Sequence, residues 1–134
     1  MKVLRVEQYK PPFVKEINPG YQSLQNEVEG TVQAIYPYAD PVAILCNDDG
    51  KLLGMELNRA LRDDDGEIYD AIAGPFLIVG LGDEDFDSLS DDMIEKYRAI
   101  FAQPEVFIRT NSGLLVMPYV TDDFTFSSAD EMER

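Results

Sequence analysis

The chain has 134 residues, 45% of them hydrophobic, and a formal net charge of −15 at pH 7, which predicts one folded domain rather than a disordered chain. It contains one cysteine and no histidine, which excludes an internal disulfide, Ser-His-Asp or Cys-His catalysis, and zinc sites built from these residues. No stretch reaches the roughly 18 apolar residues of a membrane span, and we expect a cytoplasmic protein.

The negative charge is concentrated in the second half of the chain. Up to Arg62, eight acids stand against seven bases, a net charge of −1. From Asp63 onward, eighteen acids stand against four bases, a net charge of −14. A surface of this sign repels nucleic acid and anionic membranes, so we expect no direct binding to either. Solubility is the simplest explanation of such charge runs.

The first third of the chain predicts an opening hairpin and a helix. Short apolar runs at residues 3–6 and 13–17 flank a proline turn, a pattern typical of paired strands. Asn18 followed by Pro19 then predicts a helix start, and apolar residues on one helical face lead to Gly30, which ends the helix. A strand is predicted from Thr31 to Tyr36.

The middle of the chain predicts a second hairpin and a helical turn. The apolar run Val42–Cys46 is separated from Lys51–Leu57 by an Asn-Asp-Asp-Gly turn. Cys46 has no base or cation beside it in this run, and we expect a buried, inert thiol. A single helical turn after Leu57 would place Arg59 and Arg62 on a common face.

The longest apolar run, Ala71–Leu81, is broken by Gly74-Pro75 and predicts a buried strand at Phe76–Leu81. A helix is predicted after it, capped by Ser88 or Ser90, with its apolar positions spaced for one face and its end at Pro104. Two more strands, at residues 106–109 and 114–120, form a last hairpin.

These elements predict a single α+β domain over residues 1–120. We expect a mostly antiparallel sheet of about five to seven short strands, with two main helices packed on one face. We expect residues 121–134 to form an acidic C-terminal tail, as either a short strand or a mobile segment. Its Phe124 and Phe126 would pack as that strand or serve as a docking feature.

Neither a metal site nor a phosphate site fits the acidic runs. Aligning Asp63-Asp64-Asp65-Gly66 with a calcium loop puts Leu61 and Ile72 at the first and last ligand positions. Gly80-Leu81-Gly82 lacks the third glycine of a dinucleotide fingerprint, and three acids follow where a pyrophosphate would approach. We therefore predict no metal, no cofactor and no catalytic residue.

The acids that flank the central strand are instead predicted to form a face that binds a partner. A host protein with a basic surface would be the complementary partner. The predicted residues are Asp63, Asp64, Asp65, Glu67, Asp83, Glu84, Asp85, Asp87, Asp91 and Asp92.

Several segments carry a family resemblance: Leu57-Asn58-Arg59-Ala60-Leu61-Arg62, Gly66-Glu67-Ile68-Tyr69-Asp70, Ile72-Ala73-Gly74, Phe76-Leu77-Ile78-Val79-Gly80 and Phe86-Asp87-Ser88-Leu89. They resemble the signature of an uncharacterised family, domain of unknown function 3846, over most of the chain except the tail after Val120. The resemblance implies no activity, cofactor or catalytic residue. It implies a context, because such domains are frequent in phages and conjugative elements of Gram-positive bacteria, whose accessory proteins often act against host defences.

Two hypotheses of function follow. The first is a non-enzymatic acidic interaction protein of a phage or mobile element, which binds a host protein and in its sharpest form mimics DNA with its carboxylates. The alternative is a module that binds a small anionic ligand and sequesters a host signal nucleotide. In that alternative Arg59 and Arg62 would meet the phosphates, and a tyrosine such as Tyr36, Tyr38 or Tyr69 would stack on the base.

Overall fold

The apolar runs of β4 (Val42–Asn47) and β7 (Phe76–Leu81) form the centre of a six-stranded sheet, and two separate hairpins complete the strand content. The computed structural model describes residues 1–120. The helices are α1 (Tyr21–Val28) and α2 (Asp91–Ile100). The strands are β1 (Lys2–Val6), β2 (Phe13–Glu16), β3 (Val32–Ile35), β4 (Val42–Asn47), β5 (Leu57–Arg62), β6 (Ile68–Ala73), β7 (Phe76–Leu81), β8 (Phe86–Asp87), β9 (Glu105–Thr110) and β10 (Gly113–Pro118).

The central sheet has six strands in the order β2-β1-β7-β4-β3, with the short β8 on β7, and every pairing is antiparallel. β5–β6 and β9–β10 form two separate two-stranded sheets. The predicted α+β class is therefore confirmed. The predicted strand at Phe76–Leu81 is also confirmed, and it lies in the middle of the sheet because an apolar run of this length can be buried on both faces.

Each face of the sheet has its own hydrophobic cluster. Leu4, Ile44 and Ile78 pack with residues of α2, whereas Leu45 and Leu77 pack with Leu24 of α1 on the other side. The two helices therefore cover opposite faces, and the prediction of both on one face is wrong. The physical reason is that β4 and β7 are apolar on both sides, so each side needs a cover.

Of the two helix starts, one agrees with the prediction. The Oγ of Ser90 accepts a hydrogen bond from the N–H of Met93 and caps α2, as one of the two predicted caps. α1 begins one residue after Gly20, which provides no side-chain cap, so the predicted start at Asn18 is wrong. Gly20, the residue before the helix, has a positive φ of 115°, a conformation that glycine adopts readily because it lacks a Cβ.

Two predictions in the middle of the chain are wrong. Residues after Asn47 form a series of turns up to Gly54, so Lys51–Leu57 is not the hairpin partner of β4. Leu57–Arg62 is strand β5 rather than a helical turn, and it pairs with β6 through two register irregularities. The side-chain pattern of these six residues suits either state, and pairing with β6 decides between them.

The last predicted hairpin is confirmed as β9–β10, joined by a short turn at residues 111–112. No helix within residues 1–120 is long and apolar enough to cross a membrane. The predicted C-terminal tail at residues 121–134, with Phe124 and Phe126, lies outside the described residues.

Candidate functional site

The first group of predicted acids forms the tip of the β5–β6 hairpin. The Oδ1 of Asp63 accepts hydrogen bonds from the N–H groups of Asp65 (3.0 Å) and Glu67 (2.9 Å), so this carboxylate closes the turn. Gly66 provides the left-handed residue of the turn at φ 83°. We call Asp63, Asp64, Asp65 and Glu67 the hairpin acids; all four are exposed.

The second group follows β7 and runs into α2. The N–H of Gly82 donates to the carbonyl of Asp85, and the Asp85 and Asp87 carboxylates each accept from the following N–H. Two more acids stand in the first turn of α2, where the helix dipole favours negative charge. We call the six residues of this group the edge acids. They are Asp83, Glu84, Asp85, Asp87, Asp91 and Asp92, and all are exposed.

The two groups lie in different parts of the fold. Leu61 and Ile72 anchor the β5–β6 hairpin in the cluster on the α2 side of the sheet. Phe86, between the edge acids, packs against the cluster on the α1 side. The ten acids therefore fall into two groups, one at the tip of the β5–β6 hairpin and one from the end of β7 to the first turn of α2.

With the exception of Lys2, the basic residues that form ion pairs within residues 1–120 pair with acids outside the two groups. Lys51 pairs with Asp70, Lys96 with Asp40, and Arg62 with Glu105. Near the first hairpin, Arg5 and Lys15 share the carboxylate of Glu27. Of the ten predicted acids, Asp91 alone forms an ion pair within residues 1–120, with Lys2 at 3.0 Å. The hairpin acids and most edge acids therefore keep their charge uncompensated by the described part of the chain.

Arg59 is a structural residue, so its predicted role in anion binding is wrong. It is 1% exposed, and its Nε and Nη2 donate to the carbonyl of Phe101 at 3.2 and 3.1 Å. Nη2 also donates to the carbonyl of Lys10, and Nη1 to Asn58. Burial lowers the pKa of Arg59 to about 10, which leaves the guanidinium charged at neutral pH.

Asn58 completes this buried network. Its Nδ2 donates to the carbonyls of Val6 and Gly74, both at 3.0 Å, and its Oδ1 accepts from Arg59 at 2.8 Å. The network joins β1, β5, the β6–β7 turn and the end of α2. Asn58 and Arg59 of the signature segment thus serve a buried hydrogen-bond network.

Arg62 is held by a residue that the sequence did not single out. Its Nη2 lies 2.6 Å from Oε2 of Glu105, and Oε1 of the same buried carboxylate accepts from the N–H of Ala60 at 2.8 Å. Arg62 therefore pairs with Glu105 rather than with the aspartates that follow it in the sequence. Because Glu105 is 43 residues from Arg62, no local signal in the sequence indicates the pair.

The candidate tyrosines do not join the arginines in one site. Tyr69, 56% exposed, lines a groove between β6 and β10, whereas Arg59 and Arg62 border a different cavity that contains no tyrosine. Tyr36 is exposed. Tyr38 packs on Tyr97 with ring centroids 4.8 Å apart, and burial raises its pKa to about 12. The arginine–tyrosine nucleotide site is not assembled.

Cys46 is buried, as predicted, and burial raises the pKa of its thiol. Across residues 1–120, no group of three or more acidic or cysteine side chains is placed to hold a metal ion.

Comparison with known proteins identifies one relationship. The model of a family described as Domain of unknown function (DUF3846) matches residues 1–102, which include the central sheet, the β5–β6 hairpin and both helices. The β9–β10 hairpin lies beyond the matched residues. No curated protein and no solved structure matches the chain.

Proposed function

Since the chain belongs to the family known as domain of unknown function 3846, which has no assigned activity, we propose from its surface that it is a non-enzymatic interaction protein binding a basic surface of another protein. In a phage or conjugative element, that partner is a protein of the host.

One observation carries the proposal: the hairpin acids and the edge acids stay exposed, and within residues 1–120 only Asp91 among them has a basic partner. Among residues 1–120 the ion pairs of Lys51, Arg62 and Lys96 all involve acids outside the two groups. Uncompensated carboxylates raise the local concentration of a basic partner and steer its approach.

In its sharpest form the function is DNA mimicry. Carboxylates of the edge acids would replace phosphates against a DNA-binding surface, such as that of a restriction enzyme or a repressor. Six acids and no base lie between Asp83 and Asp92. Binding of this kind weakens steeply with salt, since counterions compete for the same basic side chains.

The test begins with capture of partners on the immobilised protein from a lysate of a Gram-positive host. Direct binding of the identified partner is then measured at about 50 mM and about 200 mM salt, with and without duplex DNA. We expect affinity to fall by at least about 10-fold with salt, and DNA to compete. A partner whose binding responds to neither would refute the proposal.

Two matched variants locate the binding surface. The triple variant Asp83→Asn, Glu84→Gln, Asp85→Asn removes three charges from the edge acids. The triple variant Asp64→Asn, Asp65→Asn, Glu67→Gln removes three from the hairpin acids, so net charge changes equally. A loss of affinity with one triple and not with the other identifies a specific surface. An equal, small loss with both would reflect net charge alone and count against a specific surface.

The alternative, sequestration of a signal nucleotide, has no observation in its favour. Arg59 uses its donors on Phe101, Lys10 and Asn58, and Arg62 is paired with Glu105. Calorimetry against a panel of cyclic nucleotides is expected to give no binding heat.

A further inference from the structure

An apolar groove of about 510 Å³ lies between the β5–β6 and β9–β10 hairpins. Its large apolar lining residues are Leu57, Ile68, Tyr69, Phe107, Leu114 and Val116. Three of these, Ile68, Tyr69 and Leu114, are each about half exposed. A concave surface with several half-exposed apolar side chains is typical of an interaction site. Burying these side chains against a partner removes apolar area from water, which favours binding.

The groove is held open by the way the two hairpins meet. Glu105 ties the start of β9 to β5 through Ala60 and Arg62. In the β9–β10 register, Phe107 stands opposite Val116, so both side chains face the same way into the groove.

The charges around the groove differ between its two walls. On the β5–β6 wall the hairpin acids precede Ile68 directly, and Asp70 at the rim is already paired with Lys51. On the β9–β10 wall, Arg109 stands opposite Leu114. The charged residues that line the groove, Lys51 and Asp70, pair with each other, and the unpaired negative charge of the hairpin acids lies just beyond Ile68, at the hairpin tip.

We propose that this groove binds a basic segment of the partner protein that carries apolar side chains, an inference that rests on the proposed function and names the chemistry of its partner. The apolar side chains enter the groove, and lysines or arginines face the hairpin acids. This is the combination by which acidic grooves take basic amphipathic segments. A second copy of the chain, at a net charge of −15, would be repelled.

The test uses two labelled synthetic peptides of about 14 residues, one alternating Lys and Leu and the other alternating Lys and Ser. Their charges are equal, so a difference in affinity for the full-length protein measures the apolar contribution. We expect the Lys-Leu peptide to bind at least about 10-fold more tightly by fluorescence anisotropy.

The double variant Ile68→Asn, Leu114→Asn should bring the two peptides to within about 2-fold of each other. A matched control, Val14→Asn with Ile100→Asn, changes two exposed apolar residues outside the groove and should keep the difference. Circular dichroism and the urea midpoint of each variant verify that both still fold.

Several results would overturn the proposal. Equal binding of the two peptides, or a difference that the groove variant keeps, excludes the groove as the site. If binding is equal but lost when the hairpin acids are neutralised, the proposed function stands and the groove fails. Dimers that sedimentation detects and the groove variant abolishes would identify a second copy as the occupant. If the peptides bind only after residues 121–134 are removed, the occupant of the groove is the chain's own C-terminal segment.

Discussion

The side chain of Arg59 forms two hydrogen bonds with the carbonyl oxygen of Phe101, 42 residues away, from Nε at 3.2 Å and Nη2 at 3.1 Å. Phe101 is the C-cap of α2, where carbonyl groups lack partners within the helix and the dipole is negative. A buried guanidinium there satisfies the carbonyl and meets charge of the opposite sign. This contact fixes the end of α2 against β5.

Replacement of Arg59 by leucine should strongly destabilise the fold. Arg59 is only 1% exposed, and the substitution leaves the carbonyls of Phe101 and Lys10 without their hydrogen-bond donor. We expect a loss of about 2–4 kcal/mol in the free energy of unfolding, measured by urea denaturation. Arg98→Leu is the control, since Arg98 is exposed, and it should change stability by less than about 1 kcal/mol. Equal losses in both variants would contradict the structural role of Arg59.

Glu105 should hold the β9–β10 hairpin to the rest of the fold. Alanine at this position leaves the N–H of Ala60 without an acceptor and Arg62 without a partner, and we expect a loss of about 2–3 kcal/mol. Glu105→Gln keeps an oxygen for Ala60, so it should lose about half as much. Hydrogen exchange should rise in residues 105–118 of the alanine variant. Unchanged exchange there would show that other contacts secure the hairpin.

The Asp40 carboxylate should stabilise the protein in a pH-dependent manner. Hydrogen bonds from Lys96 and then from Tyr97 lower the pKa of Asp40 below its ordinary value. The contribution of an acid shifted in this direction is fully present above its unfolded pKa of about 3.9 and is lost as pH falls through the lower folded value. Asp40→Asn should therefore be less stable than the wild type at neutral pH, and the difference in urea midpoint should close below about pH 4. A difference that persists at acid pH would contradict this assignment.

Gly80 of β7 should be required for the close approach of this strand to the backbone at Ser88. A Cβ at this position would overlap the carbonyl oxygen of Ser88, so the glycine serves close backbone packing. Gly80→Ala should cost about 1–3 kcal/mol of stability through this overlap. Gly66→Asn is the control, because its Cβ meets open space and asparagine tolerates the φ of 83° found there. Thermal unfolding of both variants is the measurement. A loss of stability in Gly80→Ala alone indicates overlap, whereas equal losses would indicate a general sensitivity to replacing glycine.

The amino-acid sequence by itself determined the elements whose signals are local. The apolar run of β7, the Ser90 cap of α2 and the β9–β10 hairpin depend on residues within a few positions of one another, and all three agree with the structure. The charge of the two acidic groups and the absence of histidine were equally evident.

Tertiary structure alone decided the state of Leu57–Arg62, the burial of Arg59 and the placement of the helices on opposite faces. Each depends on partners far along the chain: β6 supplies strand pairing for β5, and Phe101 accepts the hydrogen bonds of Arg59. Arg62 likewise pairs with the distant Glu105 rather than with the neighbouring aspartates. An arginine beside an aspartate run carries the same local pattern whether it meets a ligand or a buried carbonyl, and only the packed fold determines which of the two it meets.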